Sequence, residues 1–279
     1  MHRVPGLCLA LLLSTGYTLA DTPRILDDSC WTESFVDDFE TLSLWDPATG
    51  EGRWKTSYIW DRDVTINNEL QFYVDPREHN VEPFSIDEGI LTIQADEAPA
   101  ALRNQTGQPY TSGVLTTQKD FSQKHGRFDA RVKVPSGQGL WPAFWLLPSF
   151  DQWPAGVAIL PEIDVMEFLG HQPTTYHTTL HTNQSGELTS HPYAHNVKRD
   201  LTESFHVYSV VWNETELVWY FDGEMKTRHP TPRDFTEPVH FLLNLAVGGN
   251  WPGAPDRTTR FPARFQIDYV KAWVPSGKC

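Results

Sequence analysis

The chain has 279 residues, enough for one large all-β domain or two small ones. It carries 36 acidic and 22 basic residues, a formal net charge of −14, which argues against nucleic acid and anionic membrane surfaces as partners. Its 11 Trp, 9 Tyr and 15 Phe residues make up 13% of the chain, more than a core of this size normally requires. Aromatic surface is therefore expected outside the core.

The first twenty residues have the pattern of a cleavable signal peptide. Arg3 lies in a basic start, an apolar run extends from Leu7 to Leu13, and small or polar residues lead to Ala20. The apolar run is too short to span a bilayer, and no later segment is long enough to do so. We therefore expect a secreted protein, extracellular or periplasmic, with a signal peptide over 1–20 and one domain over 21–279. An acidic, aromatic-rich, secreted chain favours a sugar-binding protein.

Removal of that segment leaves two cysteines, Cys30 and Cys279, one near each end of the mature chain. Oxidising compartments permit disulfides, so we expect these two to pair. Two separate thiols are the alternative.

The rest of the chain alternates candidate strands with turns rich in Gly, Pro, Asp and Asn. No window longer than about 12 residues keeps a helical apolar spacing, and no linker or internal repeat interrupts the pattern. The candidate strands, in chain order, are 89–96, 126–135, 140–148, 162–170, 176–182, 205–213, 217–223, 239–249 and 265–274. They predict an all-β fold, a single β-sandwich of two antiparallel sheets.

The fourth candidate strand, PEIDVMEFLG, carries three carboxylates within apolar sequence: Glu162, Asp164 and Glu167. Side chains of a regular strand alternate between faces, so Glu167 would point away from the other two. A one-residue bulge near Val165 or Met166 restores the parity and places all three acids on one surface. Paired carboxyl groups about 5 Å apart are typical of a retaining glycosidase. A solvated acidic strand or a calcium-binding cluster is the alternative.

The preceding strand spaces Trp141 and Trp145 by four residues, so both are predicted on the same face. Aromatic faces stack on sugar rings. Ordinary core packing is the alternative interpretation of this pair.

Six segments in this order resemble glycoside hydrolase family 16 over nearly the whole mature chain. They are NNELQFYVDP (67–76), GLWPAFW (139–145), E-I-D-x-x-E (162–167), LHT (180–182), NLAVGGNWPG (244–253) and IDYVKAW (267–273). The resemblance implies a jelly-roll sandwich with a concave sugar-binding cleft and a β-linked polysaccharide as substrate. It also implies Glu162 as nucleophile, Glu167 as acid/base and Asp164 as helper. The residues it places along the cleft are Asn68, Trp141, Trp145, His181 and Trp251.

The E-I-D-x-x-E spacing looks like the laminarinase branch of that family, with two departures. Many laminarin-active members carry Arg directly after a Ser-Gly pair, whereas this chain has Val114 there. The segment before the acidic strand, DQWPAGVAILPEID, looks more like bacterial exopolysaccharide glycanases. The sequence thus predicts a retaining endo-β-glycanase acting on a β-glucan or a related exopolysaccharide. A transglycosylase and a non-catalytic carbohydrate-binding protein remain the alternatives.

We expect no required cofactor and a monomer. His171, His177 and His181 have no Cys or acidic partner at zinc-like sequence spacing, so no metal is expected there. The resemblance implies a structural calcium near the chain ends, with Asp268 and backbone oxygens near Glu40 as ligands; simple surface acids are the alternative.

Overall fold

The computed structural model describes residues 25–155, 157 and 160–277. The predicted signal peptide and Cys279 lie outside this range. The described chain contains sixteen strands and two short α-helices, α1 (Pro76–His79) and α2 (Ala100–Thr106). None of the described helices is long and apolar enough to cross a membrane.

Ten strands form the larger sheet. They are β1 (Trp31–Asp37), β2 (Gln71–Tyr73), β3 (Phe84–Asp87), β4 (Ile90–Glu97), β5 (Tyr110–Ser112), β7 (Gly126–Lys133), β12 (His206–Trp212), β13 (Glu216–Phe221), β14 (Glu224–Pro230) and β16 (Ala263–Pro275). Their order is β14-β13-β12-β7-β16-β4-β5-β2, with β1 paired to β16 and β3 paired to β4. All named pairs are antiparallel except β2 with β5.

Six strands form the smaller sheet, which carries the site. They are β6 (Val114–Thr116), β8 (Leu140–Pro148), β9 (Glu162–Phe168), β10 (Thr175–Thr182), β11 (Thr189–Asn196) and β15 (Val239–Val247). Their order is β11-β10-β9-β8-β15-β6, and every neighbouring pair is antiparallel. The acidic strand β9 is therefore central, between β8 and β10.

The main core lies between the two sheets, and β8 shows how alternation separates it from the opposite face. Phe144 and Leu146 are buried in the main core, together with residues of both sheets. Ala143 and Trp145 belong instead to a second apolar cluster on the other face. The period of two thus gives the smaller sheet a buried face and a face on which a ligand can lie. This two-sheet architecture confirms the predicted all-β sandwich.

Strand β9 contains the predicted bulge. Against β8, Phe144 pairs with Met166 and Trp145 with Asp164, which leaves Val165 without an opposite residue. The pairing with β10 shifts over the same stretch. Val165 and Met166 both point into the main core. Two consecutive inward residues restore the parity, so Glu167 shares the outer face with Glu162 and Asp164.

Candidate active site

A cleft of about 440 Å³ lies on the outer face of the smaller sheet. Its lining residues come from β8, β9, β10 and β15 and from the segments that cover them. They are Tyr58, Trp60, Ile66, Asn67, Glu69, Trp141, Ala143, Trp145, Leu147, Trp153, Leu160, Glu162, Asp164, Glu167, His181, Leu188, Asn244 and Ala246. All three predicted catalytic carboxylates therefore face the same cavity.

The three acids differ in exposure. The side chain of Glu162 is 28% exposed, that of Asp164 is 5% exposed, and Glu167 is buried. His181 on β10 lies against the first two: its Nε2 is 3.7 Å from Glu162 Oε1 and 3.2 Å from Asp164 Oδ2. The cross-strand pairing of His181 with Glu162 sets this arrangement.

Glu167 is held by two hydrogen bonds. Trp141 Nε1 donates to its Oε1 at 3.1 Å, and Thr179 Oγ1 donates to its Oε2 at 3.2 Å. Burial raises the pKa of Glu167 to about 7, although His181 and the two hydrogen bonds oppose the shift. A carboxyl group with such a pKa still holds its proton in mildly acidic solution, as a general acid must.

Burial also raises the pKa of Glu162 and that of Asp164 well above their ordinary values. The neighbouring carboxylates add to the shift, Asp164 acting on Glu162 and Glu167 acting on Asp164. His181 lowers the pKa of Glu162. Ionisation of all three carboxyl groups would place three negative charges close together, which is electrostatically unfavourable. Glu162 is the most exposed of the three, so water and His181 can offset its negative charge once it has lost its proton.

An aromatic wall borders the acids on one side. Tyr58 stacks on Trp60 with ring centroids 4.5 Å apart, and Trp60 lies 6.4 Å from Trp145 and 6.0 Å from Trp153. On β8, Trp145 is paired with Asp164, so the wall begins beside the acids. Such surfaces suit the apolar faces of sugar rings.

A second aromatic group lies at the Glu167 end of the acidic strand. Trp141 meets Trp251 edge to face with centroids 5.3 Å apart, and Trp251 contacts His177 at 4.8 Å. Trp251 is 42% exposed and is not among the residues that line the cavity itself. It therefore extends the cleft outward beyond Trp141.

A buried network fixes the wall from below. Trp145 Nε1 donates to Asn244 Oδ1 at 2.8 Å, and Asn244 Nδ2 donates to the Tyr73 hydroxyl at 3.0 Å. Tyr73 is also hydrogen bonded to the Glu69 carboxyl group. Glu69 in turn accepts from Asn67 Nδ2 at 3.1 Å. One continuous chain of hydrogen bonds thus links the Trp145 indole to Asn67, a second residue of the cleft lining.

The predicted binding residues fall into two groups. Trp141, Trp145 and His181 line the cavity. Asn68 does not: its side chain donates to Asn250 Oδ1 at 2.8 Å, and Asn67 takes the position in the lining. Both Asn67 and Asn68 have positive φ, so the turn rotates one amide inward and the next one toward residue 250.

Several lining residues were missed by the sequence reasoning, among them Tyr58, Trp60, Trp153 and Asn244. Asn244 is the first residue of the NLAVGGNWPG segment. The alternation of side chains along β15 puts it on the cleft face, opposite to the core residues Leu243 and Leu245, so the sequence pattern could have identified it. The three aromatic residues lie outside named strands, where no periodicity indicates which side faces a ligand.

The other predicted positions lie away from the cleft. Asp268 on β16 is bound to the guanidinium of Arg131, and β1 pairs with β16 so that the loop carrying Glu40 continues toward Asp268. A calcium ion there would compete with Arg131, and this site stays a prediction. Ser276 N donates to Cys30 O at 2.8 Å, which brings Cys30 close to the end of the described chain. The pairing with Cys279 also stays a prediction.

Comparison with known proteins agrees with this geometry. The family model described as "Glycosyl hydrolases family 16" matches residues 67–271. The chain is 43% identical over 256 residues to the endo-1,3-1,4-beta-glycanase EglC of Rhizobium meliloti, covering 89% of this chain and 53% of that protein. It is 33% identical to a beta-glucanase of Rhodothermus marinus, covering 98% of this chain and 96% of that one.

Among solved structures, the laminarinase catalytic domain of Thermotoga maritima superposes with a TM-score of 0.74 at 32% identity, covering 87% of this chain and 98% of that domain. The chain spans about half the length of the Rhizobium relative. The three acids, all six strands of the smaller sheet and most of the cleft lining lie within the matched segment. The chain therefore belongs to glycosyl hydrolase family 16.

Proposed function

We propose that this chain hydrolyses internal β-glycosidic bonds of a β-glucan, with retention of configuration at the anomeric carbon. The observation that carries the proposal is the bulge at Val165, which places Glu162, Asp164 and Glu167 together in an open cleft. A pair of carboxyl groups, one able to ionise and one holding a proton, is the minimal apparatus for this reaction.

In the first step the Glu162 carboxylate attacks the anomeric carbon while Glu167 gives its proton to the departing glycosidic oxygen. A covalent glycosyl ester forms and the glycosidic bond breaks. In the second step Glu167, now ionised, takes a proton from water as the water attacks the anomeric carbon and releases Glu162. Both residues end in their starting states.

Asp164 acts on Glu162 rather than on the sugar. Burial raises the pKa of both groups, while the hydrogen bond between them raises that of Glu162 and lowers that of Asp164, so Glu162 donates and Asp164 accepts in the resting site. Glu162 passes that proton to Asp164 when it becomes the nucleophile, and the protonated Asp164 then fixes its direction. As the ester forms and Glu162 loses its negative charge, that hydrogen bond weakens and the proton stays on Asp164.

The lining of the cleft favours a glucan-like substrate that carries little charge. Val114, at the position where many laminarin-active members have Arg, is fully buried in the apolar cluster with Tyr58, Trp145 and Leu242. The relatives named above include both a 1,3-1,4-beta-glycanase and a laminarinase. We therefore place mixed-linkage glucan and neutral-backbone exopolysaccharide ahead of laminarin as substrates.

The test is release of reducing ends from mixed-linkage glucan, laminarin, a succinoglycan-type exopolysaccharide and agarose. Wild type is expected to act on at least one β-glucan, most strongly on the mixed-linkage polymer or the exopolysaccharide. Glu162→Gln should lower the rate at least a thousandfold. Glu187→Gln, on an exposed turn outside the lining set, is the matched control and should keep full activity.

Full activity in Glu162→Gln would contradict the assignment of the nucleophile. No reducing ends from any polymer, with binding intact, would instead indicate a carbohydrate-binding protein. Release of longer chains at the expense of shorter ones would indicate a transglycosylase.

We also propose that the protein acts outside the cytoplasm, as a monomer and without a required cofactor. The support for the location is the signal-like segment 1–20 and the placement of Cys30 beside Ser276, near the end of the described chain. Fractionation of the native host, with blotting of medium and periplasm, tests the location.

A further inference from the structure

The catalytic cleft contains a set of atoms arranged like a metal site. Glu162, Asp164 and His181 each offer one ligand atom, and these atoms all lie within 4.8 Å of one another. Two of the separations are shorter: His181 Nε2 is 3.2 Å from Asp164 Oδ2 and 3.7 Å from Glu162 Oε1. Ligand bonds of 2.0 to 2.2 Å at tetrahedral angles place neighbouring ligand atoms about 3.4 Å apart. Two of the three separations are therefore close to those of a tetrahedral zinc site, and the Glu162 carboxylate needs a small shift toward Asp164 to complete it.

A second observation points independently to a ligand. Asp164 Oδ2 is buried and has no hydrogen-bond partner among the described residues, although His181 Nε2 lies near it. Asp164 is only 4% exposed. A buried carboxylate oxygen normally accepts at least one hydrogen bond, so this one has unused capacity directed into the cluster.

The histidine has the orientation that a metal ligand requires. Ser190 Oγ is 2.8 Å from His181 Nδ1, on the side of the ring away from the acids. In the tautomer whose Nδ1–H donates to the Ser190 hydroxyl, Nε2 carries no proton and is left for the metal. The remaining tetrahedral position faces the cleft, because Glu162 is partly exposed there.

We propose that this trio binds one Zn²⁺ ion and that the bound ion blocks the cleft. The ion would occupy the space between Glu162 and Asp164 and hold the nucleophile as a ligand, so sugar and zinc would exclude each other. Along the sequence, His181 has no acidic partner at zinc-like spacing. The partners come from the neighbouring strand, through the pairing of His181 with Glu162 across β10 and β9.

The metal site rests on the geometry of the trio and does not depend on the proposed function. Isothermal titration of the full chain with zinc chloride, in a buffer that does not chelate, should show one site per chain. His181→Asn and Asp164→Asn should each weaken binding at least tenfold. Wild-type melting temperature should rise with zinc, and that rise should disappear in both variants.

His191→Asn is the matched control. His191 lies on the adjacent β11, and its ring contacts that of His229 at 4.5 Å, so this pair is the competing surface site for zinc. Zinc binding should be unchanged in this variant. Circular dichroism of all variants establishes that they fold.

The proposal is overturned if wild type shows no binding, if folded His181→Asn keeps the wild-type affinity, or if His191→Asn removes the binding. Hydrolysis measured without zinc is a separate result, so a failure of either proposal is recognisable on its own. If both hold, zinc should raise KM for the glucan and leave kcat unchanged.

Discussion

At the scale of single residues, the proton on Glu167 couples activity to stability. Burial raises its pKa from 4.5 to about 7 in the folded chain. The folded state thus binds this proton more tightly than the unfolded state does. The resulting stabilisation is complete below pH 4.5 and is lost as the pH rises to about 7. Above that pH the buried carboxylate costs on the order of 3 kcal/mol.

Glu167→Gln removes that cost because an amide does not ionise. We expect the variant to melt several degrees higher than wild type at pH 8 and at the same temperature at pH 4.5, while hydrolysis is lost. Differential scanning calorimetry at the two pH values measures this. A variant less stable than wild type at pH 8 would show that the ionised Glu167 carboxylate does not destabilise the folded state.

The hydroxyl of Tyr73 joins Asn244 to Glu69 beneath the aromatic wall. Tyr73→Phe keeps the ring and leaves two buried polar groups with one partner fewer, so we expect a loss of about 1 to 3 kcal/mol in unfolding free energy. Because Trp145 depends on Asn244, KM should rise more than kcat falls.

Tyr208→Phe is the control for that experiment. The Tyr208 hydroxyl is buried and has no hydrogen-bond partner among the described residues, so its removal should be neutral or stabilising. Equal losses in both variants would contradict the role assigned to the network.

The residues that the sequence revealed are those with a local signal. Three carboxylates in an apolar strand are costly, and Trp141 and Trp145 repeat with the strand period. Asn67 was confused with Asn68 because two successive residues of positive φ decide which amide turns inward. Trp60 was missed because its place depends on contacts with Trp145 and Trp153, which are distant in sequence.

At the scale of elements, the bulge in β9 has a direct test. Deleting Val165 returns the strand to regular alternation while Glu162, Asp164 and Glu167 keep a common face. The loss of one buried Val costs about 2 kcal/mol. We expect this variant to fold and to keep measurable hydrolysis.

Deletion of Ile163 is the matched change on the same strand. It removes a buried residue of similar size but alters the parity between Glu162 and the other two acids. Hydrolysis should then fall below detection. The two deletions are compared by melting temperature and by reducing-end release, and equal activity in both would show that the bulge does not set the orientation of the acids.

Strands were predicted correctly where the sequence carries a local periodic pattern, and were missed where it does not. All nine predicted strands are present, with ends within three residues of the prediction. Strands β2, β5 and β6 were missed because each has three residues, too few for a periodic pattern. Strands β11 and β14 were missed because they are polar, as suits their positions at the edges of their sheets.

At the scale of the whole molecule, the two ends of the described chain meet. Strand β1 pairs with β16, with Trp31 opposite Pro275. A Cys30–Cys279 bridge would then close nearly the entire mature chain and, in the chain-entropy model, remove on the order of 5 kcal/mol of unfolded-state entropy.

We expect dithiothreitol to lower the melting temperature of wild type. Cys30→Ser should melt at the reduced wild-type temperature and show no further effect of dithiothreitol. Thiol titration of the denatured, unreduced protein should give no free cysteine in the mature chain. Two titratable thiols would contradict the bridge.

The central claim is that Glu162 and Glu167 carry out a double displacement in this cleft, and product stereochemistry tests it most directly. Proton NMR of the first products from the most reactive glucan should show the β anomer first, with the α anomer appearing later by mutarotation. Initial release of the α anomer would mean that water attacks directly, and the assignment of Glu162 as nucleophile would be wrong.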